Sequence, residues 1–380
     1  VSYLTQITLQ NFRCYEQVRL EDLTSGLIIL CGPNGAGKTN ILEAVSILTP
    51  GRGLRGVRAL DMQRYDSPQA WGISAKVMTG GGDVTLGTGI NPDTERRVVR
   101  INGVSAKSQM ALSDYLACLW LTPQMDRLFI DGASNRRRFL DRMIFAFDPG
   151  HSGRVTRYEN AMRQRSKLLQ EEKFDPGWLS GLEAQMAETG IAIAAARLDF
   201  IERLQKSCAK ADSDEENYFP RAKISAKGTI EELLQKSPAV EVEQMFAYQL
   251  EQSRKKDSRV GGAATGPHKS DMDVVYASKN MPAEHCSTGE QKALLIGLIL
   301  AHGRLMAAER GAPPVLLLDE IAAHLDEDRR AALFERLLKL GGQVWVTGTD
   351  PVLFESVTKK AQFFDVESAR IFARERAFAA

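Results

Sequence analysis

Residues 27–48 read LIILCGPNGAGKTNILEAVSIL: an unbroken apolar run, a glycine-rich turn, then apolar residues at helical spacing. The opening run suits a strand buried on both faces. Gly32-Pro33-Asn34-Gly35-Ala36-Gly37-Lys38-Thr39 fits the phosphate-loop pattern G-x-x-x-x-G-K-[ST] in full, in the strand-then-helix context the pattern requires. Glycines let successive backbone N–H groups turn inward around phosphate oxygens, where a β-carbon would obstruct them. A helix starting near Lys38, with Asn40 in its first turn, points its positive end at the same place. Lys38 can reach the β- and γ-phosphate oxygens, and the Thr39 hydroxyl can ligate Mg²⁺. A nucleoside triphosphate with Mg²⁺ is the expected ligand of residues 32–40, and the expected fold is α/β.

The rest of the chain is consistent with that frame. Its 380 residues have room for two domains, and 43% hydrophobic with 26% charged residues is the balance of a soluble globular protein. No apolar run is long enough to span a bilayer, the N-terminal segment has no secretory pattern, and the five scattered cysteines form no CxxC pair. A cytoplasmic protein without membrane, disulfide framework or zinc site is expected. Net charge is only +1, so any nucleic-acid surface must be a local patch. YLTQITLQNF reads as a strand, and WGISAKVM, DVTLGTGI and RRVVRING as strands of an antiparallel subsheet, with Asn102-Gly103 as a hairpin turn. Between about Asn135 and Arg259 the texture becomes helical and highly charged. Leu182, Met186, Ile193, Phe200 and Leu204 mark one face of a helix, or of two helices joined near Gly190.

VLLLDE, residues 315–320, is a second buried strand, ending in two carboxylates. At the carboxyl end of such a strand Asp319 can hold Mg²⁺ and Glu320 can orient or deprotonate the attacking water; alone, the pair would also read as a helix N-cap. The cluster Ser287-Thr288-Gly289-Glu290-Gln291 opens a long apolar helical segment. Ser287 with Glu290 spells a capping box, while exposed N–H groups at a helix start also bind anions. The two readings are compatible.

These motifs carry a resemblance. STGEQ, with Cys286 ahead of it, resembles the Leu-Ser-Gly-Gly-Gln signature of ABC-type ATPases, in which one subunit's signature closes on the γ-phosphate held by another subunit's phosphate loop. The resemblance implies that Ser287 and Gly289 act across a head-to-tail homodimer, with Ala323-His324-Leu325-Asp326 as the D-loop. TLQNFRCYEQVRL and GPNGAGKTNILEAV are similar to the SMC-like repair ATPases, which implies that Arg13 also reaches the phosphates. DRLFIDGASNRRRFLDRM (126–143), TGPHKSDM (265–272) and LLLDEIAAHLDEDRRAALF (316–334) resemble segments of the RecF family. The expected architecture is an ABC-type ATPase head, residues 1–125 and 262–380, with an inserted helical lobe, 126–261, and no long coiled coil. The head should hold the phosphate loop (32–39), the signature (286–291), the Asp-Glu strand (315–320) and the D-loop (323–326).

Departures accompany the resemblance. Gln124 stands where RecF proteins usually carry an acidic residue; it is either a Mg²⁺- and water-linked glutamine or a plain loop residue. VTGTD offers Gly348 or Thr349 where transporters have a switch histidine, which implies slow hydrolysis. Lys269 and Ser270 replace the family's Arg and Asp. RecF membership implies binding of duplex, gapped or junction DNA, weak DNA-stimulated ATP hydrolysis, and RecR and RecO as partners in recombinase loading. The candidate DNA contacts are Arg136, Arg137 and Arg138, the run Arg163, Arg165 and Lys167, and Arg254, Lys255 and Lys256, each of which could equally be a solvated helix face. The rivals are an SMC-like tethering ATPase, disfavoured by the absence of heptad arms, and a transporter's nucleotide-binding subunit, disfavoured by the long helical insertion. A scaffold that has lost hydrolysis is disfavoured by Lys38, Asp319 and Glu320.

Overall fold

The computed structural model describes residues 2–171, 175–210 and 218–374. The chain divides into two compact units, Val1–Asp126 with Ser213–Phe219 and Leu298–Ala380, and Arg127–Asp212 with Pro220–Gly297.

The first unit is built on two six-stranded sheets. The expected first strand, β1 (Tyr3–Phe12), makes an antiparallel pair with β2 (Tyr15–Leu20), whose second half also alternates in burial. The apolar run β3 (Leu27–Cys31) is buried throughout and leads into helix α1 (Lys38–Ile47). Strands β4 (Gly72–Thr79), β5 (Gly82–Ile90), β6 (Arg97–Ile101) and β7 (Val104–Ser105) continue the antiparallel sheet, in the order β2-β1-β4-β5-β6-β7. Asn102 and Gly103 both have positive φ, 50° and 80°, as a two-residue hairpin turn requires. Arg97 reaches out of this sheet to the end of α1, donating to the carbonyls of Ile47, Thr49 and Gly51. A cation there complements the negative end of the helix.

The second sheet has the order β15-β14-β3-β13-β12-β8, from β8 (Cys118–Leu121), β12 (Val315–Leu318), β13 (Val344–Gly348), β14 (Ala361–Glu367) and β15 (Arg370–Ala373). All of its pairings are parallel except that of the edge strand β15. Gln343, fully buried, ties the two sheets together: its amide nitrogen donates to Leu4 and Thr24 carbonyls at 2.8 and 2.7 Å, and its oxygen accepts from Leu4 N–H. One side chain thus satisfies backbone groups of β1 and of the loop entering β3, which burial would otherwise leave orphaned.

The second unit holds helices α2 (Ala133–Phe145), α3 (Gly150–Leu168), α4 (Pro176–Ala209), α5 (Thr229–Leu234) and α6 (Ala239–Val260). Its small antiparallel sheet is β9 (Ala222–Lys227), β10 (Asp271–Tyr276) and β11 (Met281–Pro282). The leucine-rich face around Gly190 belongs to one helix of 34 residues rather than two. Gly190 is where the helix meets its neighbours: a β-carbon there would sit 2.9 Å from the Phe246 ring. Helix α7 (Thr288–Arg310) begins in this unit, and α8 (Glu327–Leu340) lies between β12 and β13.

The unit boundary differs from the expected 126–261. Residues 262–297, signature included, belong with the helices, because β10 pairs with β9, and Arg136 and Arg137 of α2 bind Asp271 and Ser270. No long coiled coil occurs among the described residues; the longest helix spans about 50 Å at 1.5 Å per residue. No helix among them is long and apolar enough to cross a membrane.

Arg165, expected as a candidate DNA contact, is completely buried and bridges Glu183 and Asp257 at 2.9 and 2.8 Å, with a further bond to the Leu250 carbonyl. This triad joins α3, α4 and α6. Removing the cation leaves buried Asp257 without its counter-charge and Glu183 with Arg254 alone, so Arg165→Ala is expected to destabilise the protein by about 3–5 kcal/mol, read from chemical unfolding. A change below about 1 kcal/mol would show that water reaches the triad.

Candidate nucleotide site

Parallel pairing of β3 with β13 and β13 with β12 brings the carboxyl ends of three strands to one edge, the edge where open α/β sheets bind ligands. The loop from Gly32 to Gly37 leaves β3 there. Gly32 lies so close to β14 that a β-carbon would meet the Val366 carbonyl oxygen at 2.0 Å. Gly37 has φ 114° and packs on the Tyr15 hydroxyl, 2.6 Å from where a β-carbon would be. That hydroxyl is buried without a hydrogen-bond partner, and burial holds the phenol well above its ordinary pKa. Pro33, Asn34 and Gly35 are exposed at the tip, and Ala36 is buried beneath them, its carbonyl accepting from Ala369 N–H.

Lys38 is 4% exposed, and its ammonium donates to the Gly32 and Pro33 carbonyls at 2.7 and 2.9 Å, spanning the loop. Burial lowers its pKa, opposed by Glu320 and Asp319. The Thr39 hydroxyl lies 2.9 and 3.1 Å from the two carboxylate oxygens of Asp319. Hydroxyl and carboxylate are hard oxygen ligands of the kind Mg²⁺ takes alongside phosphate and water, so these two residues fit that ion. Glu320 follows in left-handed backbone, φ 53°, which non-glycine residues rarely adopt.

Two residues that sequence reasoning passed over complete the geometry. Thr347, buried in β13, donates to Asp319 Oδ1 at 2.8 Å and accepts from Glu320 N–H at 2.9 Å. A lone hydroxyl in an otherwise apolar strand was the available signal. Glu43, fully buried on α1, takes both Nε and Nη2 of Arg13, at 2.8 and 2.6 Å, and also Nη1 of Arg55 at 2.8 Å. Arg13 is thereby committed to Glu43 and to the Asp61 carbonyl rather than to the loop. Arg55 would keep Glu43 partnered if Arg13 turned away. Asn40 accepts from Arg55 and donates to the Cys14 sulfur.

Gln124 is exposed just beyond β8, in the short helical turn Pro123–Arg127. Asp326 caps α8, accepting from Arg329 N–H at 2.8 Å, and is itself exposed. In the second unit, Ser287 and Gly289 are exposed at the start of α7. The capping box is formed: Ser287 N–H and hydroxyl both donate to Glu290 at 2.9 Å. Lys279 binds the same carboxylate, and together these donors hold the Glu290 carboxyl down at about 2.

Three of the candidate DNA contacts need correcting. Arg136 is spent on Asp271 and on carbonyls of the preceding loop, Arg165 on its buried triad, and Arg254 on Glu183. A guanidinium already paired to a carboxylate has little left for a phosphate. Arg137 is half-buried on the Ser270 carbonyl, whereas Arg138, Arg163, Lys167, Lys255 and Lys256 are exposed. The segment around Lys269 is a scaffold: His268 accepts the Tyr158 hydroxyl proton and donates to the Ala263 carbonyl, and burial pulls its pKa down to about 4.

Residues 3–371 match the family model described as the RecF/RecN/SMC N terminal domain. The chain belongs to the RecF family. It is 46% identical over 96% of both chains to the DNA replication and repair protein RecF of Rhizobium rhizogenes, and 47% identical, over 97% of this chain and 98% of the other, to that of Agrobacterium fabrum. The fold is that of a solved structure titled as the recombination mediator protein RecF-ATPrS in the RecFOR pathway, with a TM-score of 0.87 over 98% of both chains at 23% identity. An SMC head bound to the C-winged helix domain of ScpA aligns at TM-score 0.56 and 15% identity over 100% of both chains. This RecF-family chain is thus an ABC-type ATPase head in fold.

Gly37→Ala places a methyl group against Tyr15 in backbone that alanine resists. Equilibrium binding of a fluorescent ATP analogue is expected to fall at least about tenfold with the far-ultraviolet circular dichroism unchanged. Undiminished binding would show that the loop tolerates a side chain there.

Proposed function

We propose that this RecF-family chain is an ATP-driven switch that binds DNA in recombinational and gap repair. The observation that carries the reading is the convergence of Thr39 and Asp319 at 2.9 Å beside the Lys38 loop. Backbone N–H groups of residues 34–38 would cradle the triphosphate, and Lys38 would exchange its two carbonyl partners for β- and γ-oxygens. Thr39 and Asp319 would hold Mg²⁺, whose charge offsets that developing on the phosphates. Glu320 would align or deprotonate the attacking water. The hollow of about 710 Å³ lined by Arg13, Cys14, Asn40 and Tyr65 gives space for the nucleoside.

Thr288 and Gly289, beside the Ser287 hydroxyl, supply a second set of helix-start N–H groups. Since each phosphate loop already serves its own nucleotide, the exposed signature is suited to the γ-phosphate of another copy. ATP would then close a head-to-tail homodimer on duplex, gapped or junction DNA, and slow hydrolysis would release it. The differential contact energy is the enclosure of γ-phosphate. Exposed Arg138, Lys255 and Lys256 remain as phosphate contacts, giving salt-dependent, sequence-tolerant affinity. RecR and RecO, partners within the RecFOR pathway, would receive this assembly in the cytoplasm.

Sedimentation with ATP, ADP or no nucleotide, each with and without duplex DNA, tests the switch; an ATP-independent oligomer would sink it. Lys38→Ala is expected to abolish ATP-dependent dimerisation. Ser287→Arg is expected to spare ATP binding by the monomer while blocking dimerisation and turnover, and normal hydrolysis by that variant would overturn the trans assignment. Replacing Lys255 and Lys256 together by Glu should weaken duplex binding alike for all sequences and flatten its salt dependence by about two counterions.

A further inference from the structure

Thr347 occupies an unusual place. It lies in β13, between the apolar residues Val346 and Gly348, and is completely buried. Its single proton goes to Asp319 Oδ1 at 2.8 Å, and its oxygen receives Glu320 N–H at 2.9 Å. One hydroxyl is therefore bonded to two successive residues of the neighbouring loop, the first through its carboxylate and the second through its backbone.

Each bond has a geometric effect. Thr347 donates to Asp319 Oδ1 alone, whereas Thr39 lies within reach of both oxygens, 2.9 Å from Oδ1 and 3.1 Å from Oδ2. The Thr347 bond thus fixes the rotation of the carboxylate and leaves Oδ2 the less engaged oxygen, the one better placed to receive a cation or the water around it. The bond to Glu320 N–H holds a residue whose φ of 53° is unfavourable for any side chain bearing a β-carbon. Left-handed backbone at this point sets the direction in which the Glu320 side chain departs.

We propose that Thr347 is a positioning residue for hydrolysis: it orients the metal-side carboxylate of Asp319 and the water-side carboxylate of Glu320 together, through one hydroxyl. The inference rests on the roles given above to Asp319 and Glu320. It assigns Thr347 no contact with nucleotide, so the residue acts on the Mg²⁺-dependent step and leaves affinity for the triphosphate itself alone. Valine matches threonine in shape but supplies neither bond, whereas serine supplies both.

The test uses the full chain with Thr347→Val, Thr347→Ser and, as a control on the underlying reading, Glu320→Gln. Binding of a fluorescent ATP analogue is titrated against Mg²⁺, and phosphate release is followed at saturating ATP. Thr347→Val is expected to raise the Mg²⁺ midpoint of binding and lower kcat, each by about 10- to 100-fold, as loss of an outer-shell partner does. Affinity without Mg²⁺ should stay within about twofold, and Thr347→Ser should restore both quantities to within about threefold of the parent. A valine variant with parental Mg²⁺ midpoint and kcat overturns the proposal. So does a serine variant as impaired as valine, because the hydroxyl would then be irrelevant. Thermal melts separate these outcomes from misfolding; if the valine variant does not fold, Thr347→Ala takes its place in the same comparison with serine. Normal turnover by Glu320→Gln would instead remove the reading on which Thr347 depends, and the inference with it.

Discussion

The carboxylate of Asp319 is the meeting point of the nucleotide unit. It is 8% exposed, and the side-chain protons it accepts come from Thr39 and Thr347. Each of the three residues comes from a different stretch of chain, and only the parallel pairing of β3, β13 and β12 brings them together. A buried carboxylate without donors would be costly to fold. The same hydroxyls that remove that cost set the angle at which the group faces the phosphate loop, so stability and chemistry place the same demand on this point.

Around this hub the loop is constrained from several sides. β14 stands against Gly32, Tyr15 stands against Gly37, and Ala369 donates to Ala36. Lys38 spans the turn from within. The helix that follows is secured at its far end by Arg97, and along its flank Glu43 gathers two arginines. A loop built this way holds its backbone in place and leaves the Lys38 ammonium as the group that would have to change partners on binding a phosphate.

Much of this was legible in the sequence because local chemistry and tertiary role coincide. Five apolar residues followed by a glycine loop can hardly be anything but β3 and its phosphate turn, and Asn102-Gly103 names its own hairpin. The start of α7 was readable for a similar reason, since Ser287 and Glu290 cap their helix whatever else they do. Arginines were harder to read. Arg136, Arg165 and Arg254 look like phosphate contacts in a string of letters, yet each found a carboxylate from a distant segment, Asp271, Glu183 or Asp257. The boundary of the helical unit was misplaced for the same cause: the pairing of Asp271 with Lys227 leaves no local trace. Thr347 and Glu43 act through neighbours far along the chain, so only the fold reveals them.

The strand order also governs how the protein must be made. β3 lies between β13 and β14, and both of those strands come from the last tenth or so of the sequence. During synthesis the segment Leu27–Cys31 has neither lateral partner until residues 344–367 have followed it. Contacts of such long sequence separation form late, and an apolar strand waiting for them is prone to wrong pairing. The nascent chain therefore carries this apolar strand unpaired until the distant segment that supplies both of its neighbours has been made.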